Sequence, residues 1–132
     1  MITAIDTSVL LIITRRENRW EKWSKALTKA ASEGPLVVCC VVFGEFASGY
    51  ENQEMALECL HDLHIHYDPI QPNTASCAYQ NYLIAVKSRN PMMQSLAYHL
   101  VHAHSHMQAD RLAVASRADP RHHYGLSKLI LC

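Results

Sequence analysis

A chain of 132 residues fits one domain, since single cores divide only beyond roughly 250 residues. Hydrophobic residues at 49% and charged residues at 18% supply a core and exclude an intrinsically disordered chain. Net charge is zero, yet residues 1–68 hold six basic and ten acidic side chains (−4) and residues 69–132 six and two (+4), so the basic half suits a polyanion such as RNA.

The longest unbroken apolar stretch, Leu36 to Phe43, is far short of the roughly 20 residues that span a bilayer. Met1 leads straight to Asp6 without a basic leader, so the expectation is a protein neither secreted nor bound to a membrane. Five cysteines, two of them adjacent at Cys39 and Cys40, have no metal or disulfide spacing and leave an odd one over. Reduced thiols in a cytoplasm are the expected state.

In chain order, residues 1–5 are short and apolar with β-branched members, and Asp6-Thr7-Ser8 offers N-cap chemistry before the run Val9 to Ile13: strand, turn, helix. Trp20, Trp23, Leu27 and Ala30 recur at helical spacing between Glu17 and Glu33, and Gly34-Pro35 supplies a stop. Leu36 to Cys40 is wholly apolar and Val-rich, the habit of a strand buried on both faces of a parallel sheet.

A helix is expected near Val42 to Ser48 and another over Gln53 to His64, with Met55, Leu57, Leu60 and Leu63 at mostly helical intervals. Ile65 to Tyr67 reads as a short strand. Asn73-Thr74 can cap the next helix, with Cys77, Ala78, Ile84 and Ala85 on its core face. After Asn90-Pro91 a helical run continues to about Gln108, then come strand candidates at Arg111 to Ala115 and Lys128 to Leu131. The alternation predicts one α/β domain over residues 1–132, a three-layer sandwich around a mainly parallel sheet of four to five strands.

Ligand sites in such sheets gather at the carboxyl ends of strands, which is where Asp6 falls. Glu45, after the second strand, projects from the same edge if the two strands are neighbours. Two carboxylates there invite a hard cation, because Mg²⁺ and Mn²⁺ take oxygen ligands and keep several waters. Each acid alone is equally suited to satisfying helix N-terminal amides.

Three stretches, Ile5-Asp6-Thr7-Ser8-Val9-Leu10-Leu11, Val42-Phe43-Gly44-Glu45-Phe46-Ala47-Ser48-Gly49 and Ala109-Asp110-Arg111-Leu112, resemble the landmark segments of PIN-domain proteins, in particular VapC-type toxins. The resemblance implies an endoribonuclease that uses Mg²⁺ or Mn²⁺ to activate water on an RNA phosphodiester, usually a homodimer and usually inhibited by a VapB-like antitoxin. Asp6 and Glu45 match the first two acids of the family, with Thr7 or Ser8 supporting them by hydrogen bonds. The third acid position aligns on Tyr98, and residues 69–109 contain no Asp or Glu at all. Ser116 fills the nearer slot of a fourth position, and Asp119, three residues on, is the remaining acid there, a third catalytic and metal-ligating residue in this reading.

Other residues carry open alternatives. His99, His102 and His106 share a helix face, expected to be solvent-exposed, although His102 and His106 have the spacing to bridge a transition metal. His104 is expected to be structural. His122-His123 with Arg117 and Arg121 suit phosphate contacts or simply a solvated loop, and Arg15, Arg16 and Arg19 suit a plain surface charge cluster, an RNA entry or an antitoxin groove. Trp20 and Trp23 suggest a core or dimer face with one of the pair partly exposed. Beside the nuclease stand a catalytically impaired PIN domain that binds antitoxin or RNA, and an unrelated α/β domain with an acidic site. The absence of a Gly-rich phosphate loop speaks against nucleotide binding.

Overall fold

The computed structural model describes residues 1–88, 95–115 and 129–130. Strand β1 (Thr3–Ile5) leads into α1 (Thr7–Thr14), whose N-cap Asp6 accepts a hydrogen bond from the Ser8 amide. The chain turns through left-handed backbone at Arg16 (φ 49°) and Arg19 (φ 74°) into α2 (Trp20–Glu33). Then follow β2 (Leu36–Val38), α3 (Cys40–Ala47), α4 (Gln53–Asp62) and β3 (Ile65–Tyr67). The second half comprises α5 (Pro72–Ser88), α6 (Leu96–Gln108), β4 (Arg111–Ala113) and β5 (Leu129–Ile130).

The five strands lie in the order β3-β2-β1-β4-β5, and every pairing is parallel. Thr3 registers with Leu36 on one side of β1 and with Arg111 on the other. The chain winds from β1 out to β3, then returns past β1 to β4. Right-handed crossovers therefore place α1 to α4 on one face and α5 with α6 on the other. The winding reverses at β1, and the carboxyl end of that strand is the topological switch point where α/β sheets bind ligands.

The core is the apolar set the pattern marks: Ile5, Val9, Leu10, Trp23, Val38, Val42, Phe46, Leu60 and Leu112 are all buried. Trp23 is fully enclosed and Trp20 half-buried, so Trp23 belongs to this core and offers nothing to an oligomer surface.

Some expected boundaries shift. The second strand ends at Val38, because Cys39 adopts extended N-cap geometry and Cys40 already opens α3. Helix α2 begins at Trp20, after the left-handed Arg19, and α5 begins at Pro72, whose missing amide costs nothing at a helix start. On α5, Thr74, Ala78 and Ala85 are buried while Ile84 is 65% exposed; on α4 the buried pair is Ala56 and Leu60, with Met55 and Leu57 exposed. The strand expected over Arg111 to Ala115 stops at Ala113.

The amino edge of the sheet is closely tied. The Met1 amino group donates to the Glu33 carbonyl (2.8 Å), and the Ile2 amide donates to Asp110 Oδ2 (2.6 Å). Arg111 reaches both Thr3 Oγ1 and Glu33 Oε2 at 2.7 Å. Gly34 lies so near this knot that a Cβ there would sit 2.0 Å from the Met1 carbonyl oxygen. Backbone cannot yield as a flexible side chain can. Gly34→Ala is therefore expected to cost about 1–3 kcal/mol, read as a lower urea midpoint at unchanged slope.

Candidate active site

Asp6 follows β1 at the switch point. Its amide donates to the Ala113 carbonyl at 2.9 Å, fixing it between β1 and the end of β4. Its Oδ2 accepts both the Ser8 amide (3.1 Å) and the Ser8 hydroxyl (2.5 Å). The same hydroxyl oxygen accepts from the Ala115 amide at 3.0 Å. Oδ1 of Asp6 takes no hydrogen bond from the described residues.

Glu45 sits in the second turn of α3, exposed, and its Oε1 accepts the Thr7 hydroxyl at 2.9 Å. One tripeptide after β1 thus holds both acids: Asp6 belongs to it and Thr7 grips Glu45. The two strands that precede them, β1 and β2, are adjacent, which meets the condition set for a common edge. A Cβ at Gly44 would meet nothing within 4 Å, so the surface of α3 beside Glu45 is open.

Tyr98 lies in the first turn of α6, its amide donating to Ser95 Oγ at 3.3 Å and its ring stacked at 4.1 Å on His102. Helix α6 packs against β1, β4 and α3, so Tyr98 stands on the helix that borders the two acids. Ser116 and Asp119, together with Arg117, Arg121, His122 and His123, lie outside the described residues. Among the described residues, no group of three His, Cys, Asp or Glu side chains is arranged to hold a metal. The two carboxylates, each with an oxygen unengaged by the described residues, nevertheless suit a hard divalent cation that keeps most of its water.

The histidine face departs from expectation. His99 and His102 are 1% and 4% exposed, and only His106 reaches solvent. The reason is that α6 is covered by α5 on one side and by the sheet on the other. Amphipathic spacing marks a face without saying which face the fold covers, and imidazole is at home on either. His104, also buried, bonds Asp68 Oδ2 at 2.8 Å, and Gln108 Nε2 donates to the same oxygen and to the Pro69 carbonyl. Asp68 escaped the sequence reading; a carboxylate at a strand end before Pro69 was the available signal. The Asp110-Arg111 pair, part of the third landmark stretch, binds at the opposite edge and serves the fold.

With this geometry in view, the chain belongs to the PIN domain family: the family's model matches residues 3–79. Its backbone is similar to the VapBC2 complex of Rickettsia felis bound to a DNA fragment from its promoter, with a TM-score of 0.78 at 12% identity over 100% of this chain and 99% of that one. It is also similar to VapBC-1 from nontypeable Haemophilus influenzae, with a TM-score of 0.67 at 16% identity over 86% of each chain. At such identities the likeness is one of fold. No curated protein sequence matches the chain. No helix among the described residues is long and apolar enough to cross a membrane.

Burial pushes the His104 imidazole below its ordinary value, against the opposing pull of the Asp68 hydrogen bond. The unfolded chain then binds the proton more readily than the folded one. This contribution to stability is complete above the unfolded value near 6.5 and is lost as pH falls through the lower folded value. The wild-type urea midpoint should therefore fall on acidification below about pH 6.5 more steeply than that of His104→Asn, which cannot titrate; parallel curves would refute the assignment.

Proposed function

We propose that this chain is a VapC-type ribonuclease, hydrolysing RNA phosphodiesters with a divalent cation held by Asp6 and Glu45. The observation that carries the reading is the Thr7 hydroxyl bound to Glu45 one residue after Asp6, at the switch point of a PIN fold. The chemistry supplied by bound Mg²⁺ or Mn²⁺ is an activated water and neutralised charge on the scissile phosphate. Asp6 and Glu45 provide the anionic oxygens; Ser8 orients Asp6 and Thr7 orients Glu45, so neither carboxylate must be ordered when the ligand arrives. Asp119 completes the acidic set in this proposal, with Ser116 beside it in sequence.

The proposal extends to partners. A VapB-like antitoxin is the expected inhibitor, since the solved structures of similar fold are VapBC complexes. A homodimer is the expected form, supported by the exposed apolar side chains Tyr79, Leu83, Ile84 and Val86 on α5. The cytoplasm is the expected compartment, where Cys39 and Cys40 stay reduced. Burial pushes the Cys39 thiol up, keeping it protonated and unreactive.

A second reading, a catalytically impaired PIN domain that binds antitoxin or RNA, has its own observation: the helix bordering the acids carries Tyr98 and no carboxylate. Tyrosine brings an aromatic ring in place of the carboxylate oxygen that a hard cation takes as ligand.

Two experiments separate the readings. Asp6→Asn keeps the helix cap, because Asn caps as well as Asp, yet removes one anionic ligand; Glu45→Gln does the same on α3. Each should weaken Mn²⁺ binding by at least about tenfold in calorimetry and abolish cleavage of a single-stranded RNA, whereas unchanged binding would move the cation elsewhere. Tyr98→Asp should raise Mn²⁺ affinity and cleavage together. A folded Tyr98→Asp protein that gains neither, alongside a wild type that cleaves nothing, would favour the binding module.

A further inference from the structure

The turn between α1 and α2 has no part in the acidic site, yet it concentrates positive charge around an aromatic ring. Arg16, Arg19, Trp20, Lys22 and Lys25 line one open cleft of about 580 Å³. Glu17 and Glu21 also line it, leaving two positive charges in excess over ten residues of a chain whose total is zero. The Arg16 guanidinium lies 5.1 Å from the centroid of the Trp20 ring, and Trp20 is half-buried, whereas Trp23 one turn on is enclosed in the core. Here the backbone takes the left-handed conformation at both Arg16 and Arg19, uncommon for residues with a Cβ.

We infer that this turn is a docking platform for single-stranded RNA, with Arg19, Lys22 and Lys25 on the phosphates and a base stacked on the Arg16–Trp20 pair. Cations flanking an aromatic face, in an open cleft, are the combination that single strands use, because every base has a stacking face and every linkage a charge. A duplex hides its base faces and would leave Trp20 unused. An acidic protein segment is the competing occupant, and the test below separates it from RNA.

Helix α1 joins the acids to the platform: it begins beside Asp6 and ends at the basic turn, and its eight residues span about 12 Å. The inference takes its ligand class from the ribonuclease reading, but its test does not require cleavage.

The test is binding of a fluorescent single-stranded oligoribonucleotide, by anisotropy in EDTA across a salt series, so that no turnover occurs. Simultaneous Arg16→Ala, Arg19→Ala, Lys22→Ala and Lys25→Ala should weaken binding and flatten the slope of log affinity against log salt by about 0.7 for each phosphate no longer neutralised. Trp20→Ala should weaken it roughly tenfold, while Trp20→Phe, which keeps a stacking ring, should retain most of the affinity. Circular dichroism checks that each variant is folded.

Unchanged affinity and salt slope in the folded quadruple variant would overturn the platform, and so would a wild type that does not bind single-stranded RNA. Loss of a protein partner by that variant, with RNA binding intact, would assign the surface to protein instead and equally overturn it. A wild type that binds the oligonucleotide in EDTA but cleaves nothing in Mn²⁺ fails the nuclease reading alone, whereas a wild type that cleaves alongside a folded quadruple variant with unchanged binding fails the platform alone, so the two failures give different results.

Discussion

The hydroxyl of Ser8 is the tie on which the carboxyl edge depends. It donates to Asp6 Oδ2 and accepts from the Ala115 amide, and the Asp6 amide reaches the Ala113 carbonyl. Strand β1, the first turn of α1 and the exit of β4 are thereby joined through one side chain. The switch point of the sheet is a gap between diverging connections, with backbone groups that no ladder satisfies. Here a serine and an aspartate satisfy them, and the same aspartate keeps an oxygen free of the described residues.

The two edges of the sheet have divided their labour. At the amino edge the chain's own charges are consumed by the fold: Arg111 by Glu33, Asp110 by the Ile2 amide, the Met1 amine by the end of α2. The last of these places a cation at the carbonyl end of a helix, where the dipole favours it. Around Asp6 and Glu45 at the carboxyl edge the contacts are hydrogen bonds from two hydroxyls and an amide, which orient these carboxylates without pairing them with a cation. Charge is thus spent at one edge and kept at these two acids of the other.

Much of the fold was legible because the relevant signals are local. Asp6-Thr7-Ser8 before an apolar run marks a strand-to-helix corner, Gly34-Pro35 ends a helix, and Leu36 to Val38 is apolar without alternation, as a strand covered on both faces must be. The common edge of Asp6 and Glu45 rested on β1 and β2 being neighbours, a condition that the sequence states and the strand order meets. What escaped depends on contacts distant in sequence. The burial of His99 and His102 is imposed by α5 and the sheet, and the bond from His104 to Asp68 joins residues 36 positions apart. Asp110-Arg111 belongs to the third landmark stretch, and the register of β4 places it at the amino edge, away from Asp6 and Glu45.

The shortness of the strands has a bearing on what this edge can grasp. Four of the five strands are three residues long and the fifth is two, so the sheet is only about 10 Å from edge to edge. A sheet this narrow supplies little wall of its own around Asp6 and Glu45. The depth of any pocket at this edge is therefore built by the helices and connections that rise beyond the strands, and insertions or deletions in those connections reshape it without touching the sheet.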